Sequence, residues 1–211
     1  MKRQLFILLI ATLLAPAGLM AQKVYKTGSG TATKVILEMT VTSGMPDGAQ
    51  TSTKKYTDSY TTSNVTNTTF IGGNSTVSDN ANATVYQTLE IAPLDVNHAT
   101  INPTVLGFGA TMHWQNAFLR CKGLTYNGRT GWRLPTQREL QMIWIFREVL
   151  DAIFIGMGNS NSSALPFSSI NSYWSATETA YNYAWDLNFD IGRTVRDTKV
   201  ATFRVRCVRE E

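Results

Sequence analysis

The sequence predicts an α+β protein in which two helices and several short strands follow a Thr/Ser/Asn-rich region that is β-rich or partly disordered. Three observations lead there. A wide apolar helical arc begins at a capping box formed by Thr136 and Glu139. Alternating apolar stretches rich in β-branched and aromatic residues come after it. All five tryptophans lie beyond Pro103, whereas residues 26–92 carry few large apolar side chains.

At the N-terminus, Lys2 and Arg3, an apolar run from Leu5 to Leu14, Pro16 and the small residue Ala21 make the three regions of a secretory signal. The run is shorter than the roughly 20 residues that cross a bilayer, so cleavage after Ala21 is expected and no membrane span remains. That leaves 190 of the 211 residues, enough for one ordinary core. It also lowers the formal charge from +4 to +2, which disfavours nucleic acid or a polybasic membrane contact.

Residues 22–95 read as a β region or a spacer. Lys34 to Val41 alternates like a strand, Pro46-Asp47-Gly48 signals a turn, and Thr84 to Ile91 reads as another strand. Residues 96–211 form the main domain. Val105 to Ala110 suggests a strand, Thr111 is placed to cap a helix through Trp114, Ala117, Phe118 and Cys121, and Tyr126-Asn127-Gly128 marks a turn.

Trp132-Arg133-Leu134 is then a short extended piece. Pro135 keeps Leu134 out of helical geometry, and the capping box at Thr136 and Glu139 opens a helix expected to reach about Phe154. Its arc holds Leu140, Ile143, Trp144, Phe146, Leu150, Ile153 and Phe154, with Arg147, Glu148 and Asp151 towards water. Strands are expected at Tyr173–Thr177, Tyr183–Phe189 and Ala201–Val208.

Two cysteines, Cys121 and Cys207, remain in an exported chain, and an even count most simply means one disulfide. Spacing alone does not prove it. A metal site using both thiols with His98 and His113 is the alternative, although the spacings match no usual zinc pattern.

The succession Trp114…Cys121, Gly131-Trp132-Arg133-Leu134-Pro135-Thr136…Glu139-Leu140, Tyr173-Trp174-Ser175-Ala176-Thr177-Glu178, Ala184-Trp185…Phe189…Gly192 and Val205-Arg206-Cys207-Val208-Arg209 closely resembles a family of exported bacterial domains with a C-type-lectin-like fold. Members include the C-terminal domain of a collagen-like surface adhesin, and similar domains end fimbrial and surface proteins of gut anaerobes. The resemblance covers about Pro103 to Arg209. It implies two helices flanking a small antiparallel sheet, a last strand returning to the start of the domain, and a disulfide joining Cys207 to Cys121 on the first helix. It also implies display at the cell surface or release outside it, the periplasm being the other exported location.

Three functions are compatible with these residues. The first is a non-catalytic adhesion module for glycan or matrix ligands, which uses no cofactor. Calcium is not predicted, because the Glu-Pro-Asn, Gln-Pro-Asp and Trp-Asn-Asp motifs of calcium-dependent lectins are absent and Trp185-Asp186 is only an echo. A ligand surface is expected at Glu178, Trp185, Asp186, Asn188 and Arg193. The second is a fimbrial or homo-oligomeric subunit that assembles by strand addition. The third, an enzyme resembling those that generate formylglycine, lacks their cysteine pair beyond the Arg-Leu-Pro-Thr segment. The motif Trp132, Arg133, Leu134, Pro135, Thr136 and Glu139 is accordingly read as structural, with a buried Arg133 needing an acidic or carbonyl partner that the sequence does not name.

Overall fold

The apolar run Val35-Ile36-Leu37 is the centre of a strand, buried on both sides, because it lies between two others in one sheet. A computed structural model describes residues 23–38, 66–67, 88–96, 111–158, 166–167 and 170–211. The signal segment, the turn at 46–48, the strand expected at 105–110 and His98 lie outside the described residues.

Among the described residues the chain is α+β, with three helices and two antiparallel sheets. The first sheet takes β1 (Lys23–Thr27), β2 (Lys34–Glu38), β3 (Thr88–Ile91) and the terminal strand β7 (Val208–Glu210), in the order β1-β2-β3-β7. The second takes β4 (Ser172–Ala180), β5 (Tyr183–Asn188) and β6 (Arg193–Thr198), with β5 in the middle. Helices α1 (Trp114–Gly123), α2 (Gln137–Ile145) and α3 (Arg147–Gly158) lie between these strands in the chain.

The first sheet combines strands from both sides of residue 95. β3 pairs Ile91 with Val208 and Leu89 with Glu210, while Val35 of β2 pairs with Ile91. Val35, Leu37, Leu89 and Ile91 then join Leu140, Ile143, Leu150, Phe154 and Val208 in one buried cluster. Burying such side chains contributes about 1.5–3 kcal/mol each, which a bare spacer would forgo. A second cluster gathers Trp114, Ala117, Phe118, Cys121, Trp132, Leu134, Trp174 and Cys207.

Several expectations about elements change. The helix expected from Thr136 to Phe154 breaks at Phe146, whose φ of −96° and ψ of 9° leave helical geometry. The break lets Leu140 and Ile143 of α2 and Leu150 and Phe154 of α3 reach the same cluster. His113, not Thr111, is the N-cap of α1, and its side chain makes no capping bond.

The strand expected over Ala201–Val208 is extended but belongs to no single ladder. Its backbone meets Met112, Trp174, Val96 and Ala92 in turn before β7 begins at Val208. Strand β6 was not expected, because Arg193-Thr-Val-Arg-Asp-Thr has no apolar alternation; its full antiparallel register with β5 defines it. At Tyr126–Arg129 the expected turn forms, with Asn127 and Gly128 at φ of 49° and 74°, as a tight hairpin needs.

Candidate functional site

The motif at 131–140 is built inward. Trp132 is buried and its indole N–H donates to the Arg129 carbonyl at 3.0 Å. Pro135 accepts from the Ala176 amide at 2.8 Å, which ties the motif to β4. Thr136 and Glu139 complete the capping box, each bonding the other's backbone amide.

The partner of Arg133 is that same Glu139. Its two terminal nitrogens donate to the two carboxylate oxygens at 2.7 and 2.8 Å, and its Nε reaches Glu210 at 2.5 Å. A single carboxylate therefore caps a helix and neutralises a buried guanidinium that also holds the terminal strand. These contacts tie the motif to α2 and to the terminal strand.

The two thiols are joined to each other, Cys121 on α1 to Cys207 just before β7, with Cα atoms 5.5 Å apart. They are thus not free to ligate a metal. His113 is exposed, with Nδ1 3.4 Å from the Ala201 carbonyl oxygen.

The five residues expected to form a ligand surface separate into two groups. Glu178 and Asp186 are buried. Glu178 forms an ion pair with Lys199, itself fully buried, over whose ammonium the Trp114 ring lies at 4.4 Å. Burial pushes the Lys199 ammonium below its ordinary range, and Glu178 opposes that shift. The pair is a buried structural contact between the ends of β4 and β6.

Asp186 lies opposite Trp174 of β4 and Val195 of β6. Burial pushes its carboxyl up to about 7; the Ser172 hydroxyl acts against this, and the Asp197 carboxylate adds to it. Asn188 is half-buried and uses Oδ1 to accept the amides of Asp190 and Ile191, closing the turn into β6.

Trp185 and Arg193 do reach the surface, half-exposed and exposed respectively. Antiparallel register puts Trp185 opposite Arg196 and Tyr183 opposite Thr198. The Arg196 guanidinium lies 4.1 Å from the centre of the Tyr183 ring. Tyr183, Trp185 and Arg196 thus form an aromatic and cationic patch on the outer part of the second sheet, which alternation in β5 alone did not reveal because β6 was unseen.

Sequence reasoning also missed two acids, Glu90 buried and Asp95 partly buried. Asp95 receives Arg204 at 3.0 Å and Arg206 at 2.7 Å, and Glu90 receives Arg129 and Arg209, each at 2.9 Å. The alternating arginines near the C-terminus are the signal that could have found them, since a buried guanidinium requires an acid.

Among the described residues no helix is long and apolar enough to cross a membrane. No curated protein matches the chain. A profile of the Lcl C-terminal domain matches residues 75–209, from before β3 into β7 and including both cysteines. With the disulfide, that match fits an exported, surface-associated protein, and the chain belongs to the Lcl C-terminal domain family.

Proposed function

We propose that this chain is an exported, non-catalytic binding module with a lectin-like fold that contacts glycan or matrix ligands at the cell surface or on a fimbria. The observation that carries this reading is the patch of Tyr183, Trp185 and Arg196 on the outer sheet. Aromatic faces stack on the apolar faces of sugar rings, and a guanidinium held beside them donates to hydroxyl or acidic groups. Family membership supports a surface role.

The test is binding of the purified protein to a panel of glycans and matrix proteins, with and without calcium. Saturable binding weakened about tenfold or more by Trp185→Ala or Arg196→Ala, with the thermal midpoint held, is the expected result, equivalent to about 1.4 kcal/mol. Binding unaffected by both substitutions would remove the patch from the site. Silence across the panel would favour assembly by strand addition. That second reading is supported by β1, which among the described residues is an edge strand paired with β2 and exposed at four of its five residues.

A further inference from the structure

Asp186 poses a problem that the binding patch does not solve. Its side chain is fully buried, and among the described residues its carboxylate has no cationic partner, with only the Ser172 hydroxyl to offset the burial. A buried charge without a cationic partner is costly, so either a ligand or a proton has to occupy the site.

The register identifies its neighbours. Ala184 pairs with Asp197 and Asp186 with Val195, so Asp186 and Asp197 occupy one face of the β5–β6 ladder as diagonal neighbours. Ser172 of β4, opposite Asn188, takes the other diagonal. Two ionised carboxylates on one face are two acceptors with no donor between them, whereas a proton on Asp186 makes it a donor.

The other charged groups near this face lie elsewhere or are bound to other partners. Glu178 of β4 is bound by Lys199, and Arg193 stands exposed at the far end of β6, opposite Asn188. Arg196 lies on the opposite face over Tyr183, and Arg204, beside β4, is bound to Asp95. From the side of α1, His113 is exposed and directed to Ala201. None of these cations neutralises Asp186.

We propose that Asp186 keeps a proton beside Asp197 and so forms a pH-operated latch between β5 and β6. β6 is the edge of its sheet, paired with β5 and tied to α2 through the Thr194 hydroxyl, which accepts from Gln137 and Gln141, so the repulsion created by losing that proton falls on its one ladder among the described residues. In mildly acidic solution the latch is closed. As the pH rises through neutrality, β6 loosens, together with Arg193 and Arg196, which it carries.

The sign follows from the direction of the carboxyl shift, upward to about 7 from the ordinary 3.8. The folded chain holds a proton that the unfolded chain has already lost, so the stabilisation is complete below about pH 4 and disappears as the pH rises through about 7.

The experiment compares the purified protein with Asp186→Asn, a neutral isostere of the protonated acid, by thermal unfolding from pH 5 to 8.5 in EDTA. The wild type should lose several degrees of midpoint across that range, and the variant should lose much less and lie higher at pH 8. Parallel profiles overturn the latch. Amide exchange corrected for intrinsic rates should show β6 losing protection relative to β4 at pH 8 in the wild type only; unchanged protection also overturns it.

Should the variant fail to fold, carboxyl carbon shifts of labelled aspartates in the wild type decide. One midpoint between pH 6 and 8 supports the protonated Asp186, and all midpoints below 5 refute it. Calcium that raises the wild-type midpoint at pH 8 but not that of Asp186→Asn would make the site a cation site, and the proton latch would be wrong.

Discussion

Arg133 is 1% exposed, and its charge is balanced by Glu139 at 0% and by Glu210. Removing one partner of such a group leaves the other charged and buried, so Arg133→Met should cost about 3–5 kcal/mol in urea unfolding. A loss below 1 kcal/mol would show that the guanidinium is not structural. Thr136→Ala removes only a capping hydroxyl and should cost about 1 kcal/mol. The ordering of the two variants separates the buried pair from the cap, although both act through Glu139. The capping box was readable because its two residues are three apart in sequence; the partners of Arg133 were not, since Glu139 was already accounted for as a cap and Glu210 lies 77 positions away.

At the scale of elements, the β5–β6 turn is shaped by a close approach. Gly192 has a φ of 68°, and a Cβ there would lie 2.4 Å from the Trp144 indole of α2. Both the backbone geometry and the ring oppose a side chain, so Gly192→Ala should cost at least the 1–3 kcal/mol typical of overpacking, read as a lower thermal midpoint. The Trp144 indole N–H donates to the Phe189 carbonyl at 3.1 Å, which holds the ring against this turn. Helical periodicity identified the apolar arc of α2 and α3 but not the break at Phe146, since a one-residue departure leaves the spacing of apolar residues nearly intact.

At the scale of the molecule, two long-range ties decide where the chain ends meet. The disulfide closes a separation of 86 residues, and the chain-entropy account assigns such a closure about 4–5 kcal/mol. Reduction should therefore lower the urea midpoint, and a midpoint unchanged on reduction would contradict that account. The other tie is β2, whose Leu37 is fully buried against a cluster drawn from α2, α3 and β7. Leu37→Ala should cost about 2–5 kcal/mol, the range for a core leucine. A spacer would lose almost nothing, so the same measurement decides whether residues before the family match contribute to the core.

The sequence by itself determined the α+β class, the first helix face, the capped start of α2 and the Asn127-Gly128 turn. Each rests on local chemistry: a period, a cap, a positive φ. Tertiary structure alone decided that Glu210, Asp95 and Glu90 neutralise Arg133, Arg204, Arg206 and Arg209, because those contacts join residues far apart in the chain. It alone placed β2 between β1 and β3, removed Glu178 and Asp186 from the surface, and put Arg196 beside Trp185. Strand alternation says that two residues share a face; which face is buried depends on what packs against the sheet, and that is a property of the assembled fold.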